Sequence, residues 1–518
     1  MQGMKSSPSA SLRGVVLVLA ALVASACGAR ERPGTPPKHV LLITVDTLRA
    51  DHMSAYLYGR PTTFTGATDE DKLAGRALSL DRLAEEGVLF KNAFAPRGMT
   101  APSVASLLTG LTPLEHGLLT NTQRLDSTLP TLAERFAGAG FDTAGFSANR
   151  LIAKGSGLTD GFGTFETYYE GDKDLEVVRG AMDWLGERDL DDGPPVFLWL
   201  HLVGPHLPYD PLAIGGEDFA TRFTDPGYGG TADGSRAFLD QAYFERLPLD
   251  GQDVHHVVSL YDGEVARVNF LLQRFLEVYS GVYEDPPKRR LDDTLLVFTA
   301  DHGEELYERN QYWAHSKSVY SSVLHVPLFL RHPASLTGRR VVDEHVTLED
   351  VGPTLLEWFD LPELPGAYGR SLLPLVDTYD TFTFDARPAF GGYENSIFTV
   401  RAPKASGEGD WRLVWNPDEV EPDDRPLGAY PIPKLALYDV ALDPKEQRDV
   451  KAAHPDVTEE LLEVLRTWRA ERLPRAATVE DAGQRESAEN LGYIGSSDPQ
   501  PMDDAQGSPT EDELGEGE

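Results

Sequence analysis

"HVLLITVD", residues 39–46, decides the fold of this 518-residue chain: a near-continuous apolar run that stops at a single carboxylate, Asp46. It is short for a buried helix and lacks the polar alternation of a half-exposed strand. Such a run reads as a strand covered on both faces, the pattern of a parallel sheet. "PVFLWLHLV" (195–203) and "TLLVFTAD" (294–301) repeat the shape. Between and around them "SLDRLAEEGVLF", "LPTLAERFAGAG", "LEVVRGAMDWLGERDL" and "VVSLYDGEVARVNFLLQRFLEVY" carry apolar residues at spacings of three and four, which predicts helices. The Phe and Tyr residues of "FLEVYSGVY" (275–283) read as core. Strands alternating with helices predict an α/β fold, a mostly parallel sheet sandwiched by helices. Sites in such sheets form where the strands end at their carboxyl edge, and Asp46, His206 and Asp301 fall at or just past that edge.

Working outward, residues 60–78 and 209–250 read as insertions or long surface loops. From about Arg387 the texture changes to short alternating runs, "FGGYENSIFTVRAP", "DWRLVWNP" and "KLALYDVALDP", followed by the helical "VTEELLEVLRTWRAERL". The expected organisation is a catalytic domain over 38–386, a small C-terminal α+β subdomain over 387–475 and an acidic, disordered tail over 476–518 with a possible docking segment at "LGYIG".

The net charge is −36, of which the segment from Glu480 to Glu518 supplies −11. A chain so acidic, without clustered Lys and Arg, is not expected to bind nucleic acid. A small anionic substrate stays open, because a metal ion and a few local donors outweigh the global field. At the N-terminus, Lys5 and Arg13 precede "GVVLVLAALVASA", thirteen apolar or small residues that are too few to span a bilayer. Cys27, the only cysteine, follows at once, so no disulfide can form within the chain. "ASAC" resembles a bacterial lipoprotein box, making residues 1–27 an export signal, Cys27 the acylated residue and 28–37 a polar linker. The expected location is the bacterial cell envelope, on the periplasmic face or the outer membrane; an ordinary cleaved signal with an incidental cysteine is the alternative.

Two stretches carry chemistry. In "TADHGEEL" (299–306) Asp301 and His302 sit together at a strand end before Gly303, where a turn can bend both toward one ion. An Asp and a His suit Zn²⁺ or Mn²⁺, and Ca²⁺ if more oxygens join. Asp46 would be costly to bury at the end of so apolar a strand unless paired or bound to metal; its alternative is a helix N-cap. In "GMTAPSVASLLTG" (98–110) Pro102 suits the first position of a helix that Gly110 can close, with Thr100 at its mouth. Asp46, Thr100, Asp301 and His302 then form one candidate ligand set from three segments.

Eight stretches in order resemble the sulfatase family of the alkaline phosphatase superfamily: "HVLLITVDTLRADHMSAY", "SLDRLAEEGVLFKNAFAP", "TAPSVASLLTGLTPLEHG", "LPTLAERFAGAGFDTAGF", "FLWLHLVGPHLPYDP", "VFTADHGEEL", "YWAHSKSVYSSVLHVPLFLR" and "LALYDVALDPKEQRDV". The resemblance implies an alkaline phosphatase-like fold from about His39 to Arg475. It also implies an ester hydrolase with one divalent metal ion. It makes His206 a substrate or leaving-group contact and matches His315 and Lys317, two residues apart and on one side of an extended loop, to the family's substrate-contacting pair. Asn121 corresponds to an anion donor in phosphonate monoester hydrolases.

The departures from the family are informative. Sulfatases carry Cys or Ser, oxidised to formylglycine, followed by x-P-S-R; here Thr100 and Val104 stand at the first and the Arg positions. Threonine oxidises to a ketone, so no formylglycine is expected. Thr47 replaces the second Asp of the first strand, and Ala148 and Arg150 fall where a Lys and a His are usual. What remains resembles the Thr-nucleophile branches of the superfamily. The expected function is metal-dependent hydrolysis of phosphate, phosphonate or sulfate esters through Thr100, on a small anionic ester or a glycan or lipid head group. The alternatives are a phosphoethanolamine-type transferase and a catalytically silent envelope-binding lipoprotein.

Overall fold

The computed structural model describes residues 36–490 apart from 246, 310–311, 337–338, 377–386, 404–407, 418–430 and 473–480. Cys27, most of the linker and the "LGYIG" segment lie outside the described residues. The three apolar runs become β1 (His39–Val45), β5 (Val196–Leu202) and β6 (Thr294–Ala300), every residue of which is buried. With β2 (Val88–Phe94), β3 (Asp142–Ser147), β4 (Thr164–Thr167), β9 (His325–Arg331) and β10 (Arg340–Thr347) they form an eight-stranded sheet in the order β10-β2-β9-β6-β1-β5-β3-β4. The pairings are parallel except those of β9, which runs against both β2 and β6. A two-stranded ribbon, β7 (Glu305–Leu306) with β8 (Trp313–Ala314), lies between β6 and β9 in sequence.

Alternation along the strands shows the helical sandwich. Phe146 of β3 pairs with Leu200 of β5, three residues from Phe197, so Phe146 and Phe197 face opposite sides of the sheet. Phe136 of the helix Leu132–Gly138 stacks on Phe197 with ring centroids 4.6 Å apart. On the other side, a Cβ built on Gly180 would stand 3.2 Å from Phe146, so the helix Lys173–Gly186 crosses there at close range. It packs against the 30-residue helix Gly251–Ser280, which Asp250 caps through the N–H groups of Gln252 and Asp253 and Gly281 ends in the left-handed conformation. Phe275 and Tyr279 of that helix are core, whereas Tyr283, past the glycine, is 59% exposed. "SLDRLAEEGVLF" divides: its helix stops at Glu85, and Val88 opens β2. At Gly87 the chain passes so close to β9 that a Cβ would lie 2.2 Å from the Leu330 carbonyl oxygen. The apolar Val-Leu-Phe that follows serves the strand, not the helix.

The small C-terminal sheet is antiparallel in the order β11 (Ala389–Tyr393), β12 (Ile397–Ala402), β13 (Trp411–Trp415), β14 (Leu435–Asp439). The helix Pro455–Glu471 lays Leu461, Leu465 and Trp468 on it, with Trp468 stacked 4.5 Å from Phe390. Part of the tail read as disordered is helical, at Ala482–Asn490. Between the sheets lies a buried ion pair: Arg412 donates to Glu446 at 2.5 Å, and Glu446 accepts from the N–H and Oγ of Ser321, both at 2.8 Å. Glu446→Ala would strand the Arg412 guanidinium in the interior. The expected cost is about 3–5 kcal/mol, readable by urea unfolding.

The helix Thr100–Thr109, all ten residues buried, packs on the turn Leu348–Asp350 and the helix Val351–Trp358. Burial pushes Glu349 in that turn up to about 7 against an ordinary value of 4.5, with Arg387 opposing the shift. The fold therefore favours its neutral form, and this contribution is fully present below pH 4.5 and lost as pH rises through 7. Across that window the native chain is expected to lose stability relative to Glu349→Gln in urea melts.

Candidate active site

Four neighbouring parallel strands, β6, β1, β5 and β3, bring their carboxyl ends together, and the site lies where they stop. Val45 pairs with Ala300 on one side and Leu202 on the other, so Asp46 and Asp301 emerge side by side. With His302 they offer three ligand atoms within 4.8 Å of one another. Asp46 extends the ladder through its N–H to the Leu202 carbonyl at 2.8 Å and caps no helix; the turn Ala50–His52 that follows has no side-chain cap. Thr47 takes a left-handed φ of 55°, and its N–H lies 3.4 Å from Asp301 Oδ1.

The electrostatics of this cluster fit a cation. Asp46 Oδ1 and Asp301 Oδ2 are buried and accept no hydrogen bond from the described residues. The His302 Nδ1–H donates to the Gly303 carbonyl at 3.0 Å, an assignment that follows from the acceptor there. This leaves the Nε2 lone pair 3.6 Å from Asp46 Oδ1 and 3.5 Å from Asp301 Oδ2. Three buried acceptors facing one point repel unless positive charge lies between them. Burial and the Asp46 charge push the Asp301 carboxyl well above the usual range. Burial would raise Asp46 too, but the imidazole of His201, 3.7 Å away, and those of His206 and His302 hold it well below.

Thr100 is the first residue of its helix, two positions earlier than the sequence suggested, so Pro102 sits third, still within the turn whose N–H groups lack helical partners. Gly110 closes the helix at φ 68°, as read. Thr100 Oγ1 lies 3.5 Å from His302 Nε2. Met99, at the N-cap, offers no side-chain acceptor, and the Ala101 N–H goes instead to Asn121 Oδ1 at 3.0 Å. Asn121 Nδ2, also buried, has no hydrogen-bond partner among the described residues.

Around this centre stand two imidazoles. The His315 ring lies 4.4 Å from that of His302 and 5.1 Å from that of His206. Burial pushes the His206 imidazole down to about 4 and His315 well below its ordinary value. His206 Nδ1 donates to the Leu207 carbonyl at 2.7 Å. His315 and Lys317 do not project together from an extended loop. The Ser318 N–H bonds the His315 carbonyl at 2.7 Å, and this turn leaves His315 buried and Lys317 exposed.

Three residues that sequence reasoning did not single out complete the surroundings. Glu304 accepts from His315 Nδ1 at 2.7 Å. Asn149, just past β3, donates to Asp46 Oδ2 at 2.6 Å. His201, inside β5, lies 3.7 Å from the same oxygen through Nε2. A polar ring within "FLWLHLV" was a signal in plain view; Glu304 and Asn149 carried none. The positions that set this chain apart from usual sulfatases are filled quietly: Val104 and Ala148 are buried, and the Arg150 guanidinium stacks 4.2 Å over Tyr169.

A mixed sheet flanked by helices, with an acidic and imidazole cluster at the strand ends beside a hydroxyl at a helix start, accompanies a family match and relatives that make the chain an ester-hydrolysing enzyme of the alkaline phosphatase superfamily. The sulfatase family model matches residues 38–361, and the chain belongs to that family. The chain is 26% identical over 417 residues to the multifunctional alkaline phosphatase superfamily protein PehA of Trinickia caryophylli, covering 65% of this chain and 77% of that one. It is 21% identical to the N-acetylglucosamine-6-O-sulfatase of Bacteroides thetaiotaomicron, covering 89% and 91%. Its fold is similar to that of the phosphonate monoester hydrolase of Agrobacterium radiobacter, with a TM-score of 0.61 at 22% identity, covering 85% and 96%. Sulfatase-family members typically bind a divalent metal ion, and the Asp46, Asp301 and His302 cluster is able to hold one.

Proposed function

We propose that this enzyme hydrolyses phosphate or phosphonate esters in preference to sulfate esters, with the Thr100 hydroxyl as nucleophile and one divalent metal ion, Zn²⁺, Mn²⁺ or Ca²⁺, held by Asp46, Thr100, Asp301 and His302. The supporting observation is the 3.5 Å approach of Thr100 Oγ1 to His302 Nε2, at the first turn of a buried helix. The bound cation would supply the positive charge that makes an ionised hydroxyl accessible near neutral pH. Thr100 Oγ1 then attacks phosphorus, the bond from phosphorus to the leaving oxygen breaks, and a covalent threonine ester remains for water to clear. The positive end of the helix dipole would face the non-bridging oxygens, and Asn121 Nδ2 is a donor to them; the Ala101 and Ser103 N–H groups are already engaged by Asn121 Oδ1 and the Met99 carbonyl, and Pro102 has none. His206 and His315, whose Nδ1–H groups are engaged by the Leu207 carbonyl and by Glu304, are bases at Nε2: one of them would take the proton that Thr100 loses and return it to the departing oxygen, while Lys317 would meet the anion only by reaching inward from its exposed turn.

The preference for phosphorus esters is supported by Thr100, which cannot become the aldehyde hydrate on which sulfatases rely, and by the likeness in fold to structures named as phosphonate monoester hydrolases. The small anionic ester would be met in the cell envelope if Cys27 carries the acyl anchor that its lipobox resembles.

The test is turnover by residues 28–518, loaded with each metal in turn, on 4-nitrophenyl phosphate diesters, phosphonate monoesters and sulfate. One of the phosphorus esters is expected to exceed sulfate in kcat/KM by at least about tenfold. Sulfate turnover ahead of both phosphorus esters overturns the preference.

A further inference from the structure

The helix Ala482–Asn490 lies far along the chain from every catalytic candidate, yet it touches two turns that carry site residues. The Asp481 N–H donates to the Thr122 carbonyl at 3.0 Å, and the Asp481 carboxylate meets Arg124 at 3.4 Å. One turn further on, Gln484 Nε2 lies 3.4 Å from the Leu151 carbonyl. Thr122 follows Asn121, whose Oδ1 holds the Ala101 N–H beside Thr100. The Leu151 N–H is bonded at 2.9 Å to Asn149 Oδ1, and the other end of that amide donates to Asp46. Asp481 and the nine-residue helix that follows it thus grip the chain next to both asparagines of the site.

The helix is docked, not merely adjacent. Ala488 is fully covered and Gln484 is 7% exposed. Asp481 Oδ1 receives the N–H groups of Gly483 and Gln484, which fixes where the helix begins. A helix this short is marginal on its own, so packing against the catalytic unit has to sustain it. The two asparagines are held differently: Asn121 is tied through Oδ1, with its Nδ2 unpartnered among the described residues, whereas Asn149 is engaged at both ends of its amide and through its N–H to Ser147 Oγ at 3.1 Å.

We propose that Ala482–Asn490, entered through Asp481, is a positioning element of the active site: it clamps the Asn121 and Asn149 turns from behind and so sets the orientation of an anion donor and of the Asp46 carboxylate. For Asn121 this rests on its reading as a donor to the bound anion. The residues of the helix touch no reacting atom; they act through the two asparagines.

The experiment uses the full chain with Ala488→Arg, which forces a long charged side chain into a covered position, and separately Ser487→Pro, which breaks the helix in its interior at a part-exposed position. Release of the segment is read by tryptic cutting after Arg485, inside the helix, and function by kcat/KM on a 4-nitrophenyl phosphonate monoester. With the segment released, kcat/KM is expected to fall by about tenfold while the main melting transition moves little, because the helix lies outside the main core. The loss is expected to shrink to within about twofold when Asn121→Ala or Asn149→Ala is already present, since coupled residues are not additive.

Release of the segment with kcat/KM unchanged overturns the clamp. So does an equal loss in all three backgrounds, and so does a segment that stays uncut in both variants. If Asn121→Ala alone is silent while release still costs activity, the reading of Asn121 fails. The clamp then stands on Asn149 alone.

Discussion

Thr100→Ala is expected to lower kcat/KM on phosphorus esters by on the order of 10³-fold or more, with the fold intact. The change removes the hydroxyl and one methyl group, and alanine suits a buried first helical position. Thr100→Ser keeps an oxygen on the same carbon and should retain measurable turnover. Rapid acid quenching followed by peptide mass spectrometry should find the native peptide containing Thr100 heavier by the transferred phosphoryl or phosphonyl group. Undiminished turnover by Thr100→Ala would assign the attack to water and remove the covalent step.

The second large effect is on stability. Asp46 and Asp301 are buried carboxylates whose proton affinities diverge in opposite directions, the mark of two like charges held together. Asp301 is the raised member, so its contribution to stability is present below its unfolded value and lost as pH rises through its folded one. A chain stripped of metal by chelation should therefore weaken toward neutral pH. Zn²⁺ or Mn²⁺ at a hundredfold excess over its dissociation constant should raise the unfolding free energy by about 2.7 kcal/mol. Asp46→Asn and Asp301→Asn should each abolish that gain, and Asp301→Asn should leave the chelated chain no less stable than the native one. Thermal unfolding with and without chelator reads both outcomes. An equal metal-dependent gain in the variants would remove these carboxylates from the ligand set.

The sheet was legible because burial on two faces leaves few polar residues and no carboxylate inside a strand, so β1, β5 and β6 announce themselves and Asp46 and Asp301 stand out as the terminators of β1 and β6. Parallel strands then bring those terminators together without any further information. Strand direction is a different matter. "HVPLFLR" has the composition of a strand, but nothing in its pattern says that β9 runs against its neighbours. Turns were the hardest to foresee. A spacing of two puts side chains on one side only in extended chain, and the Ser318 to His315 hydrogen bond is enough to part His315 from Lys317. Asn149 shows the same limit from another angle, since its role depends on β3 lying two strands from β1, a fact of topology and not of local sequence.

The reversal of β9 has a consequence for how this enzyme can diversify. Because β6 leaves the sheet at the rim and β9 re-enters beside it, with Thr299 paired to Leu328, the excursion over 301–324 is cinched at its base like a purse. Asp301 and His302 sit at the drawstring, while His315 and Lys317 ride farther out on the same excursion. Residues can be gained or lost in the outer part without shifting a single rung of the ladder beneath. Leaving-group recognition is thereby free to drift while the ion-holding corner stays put.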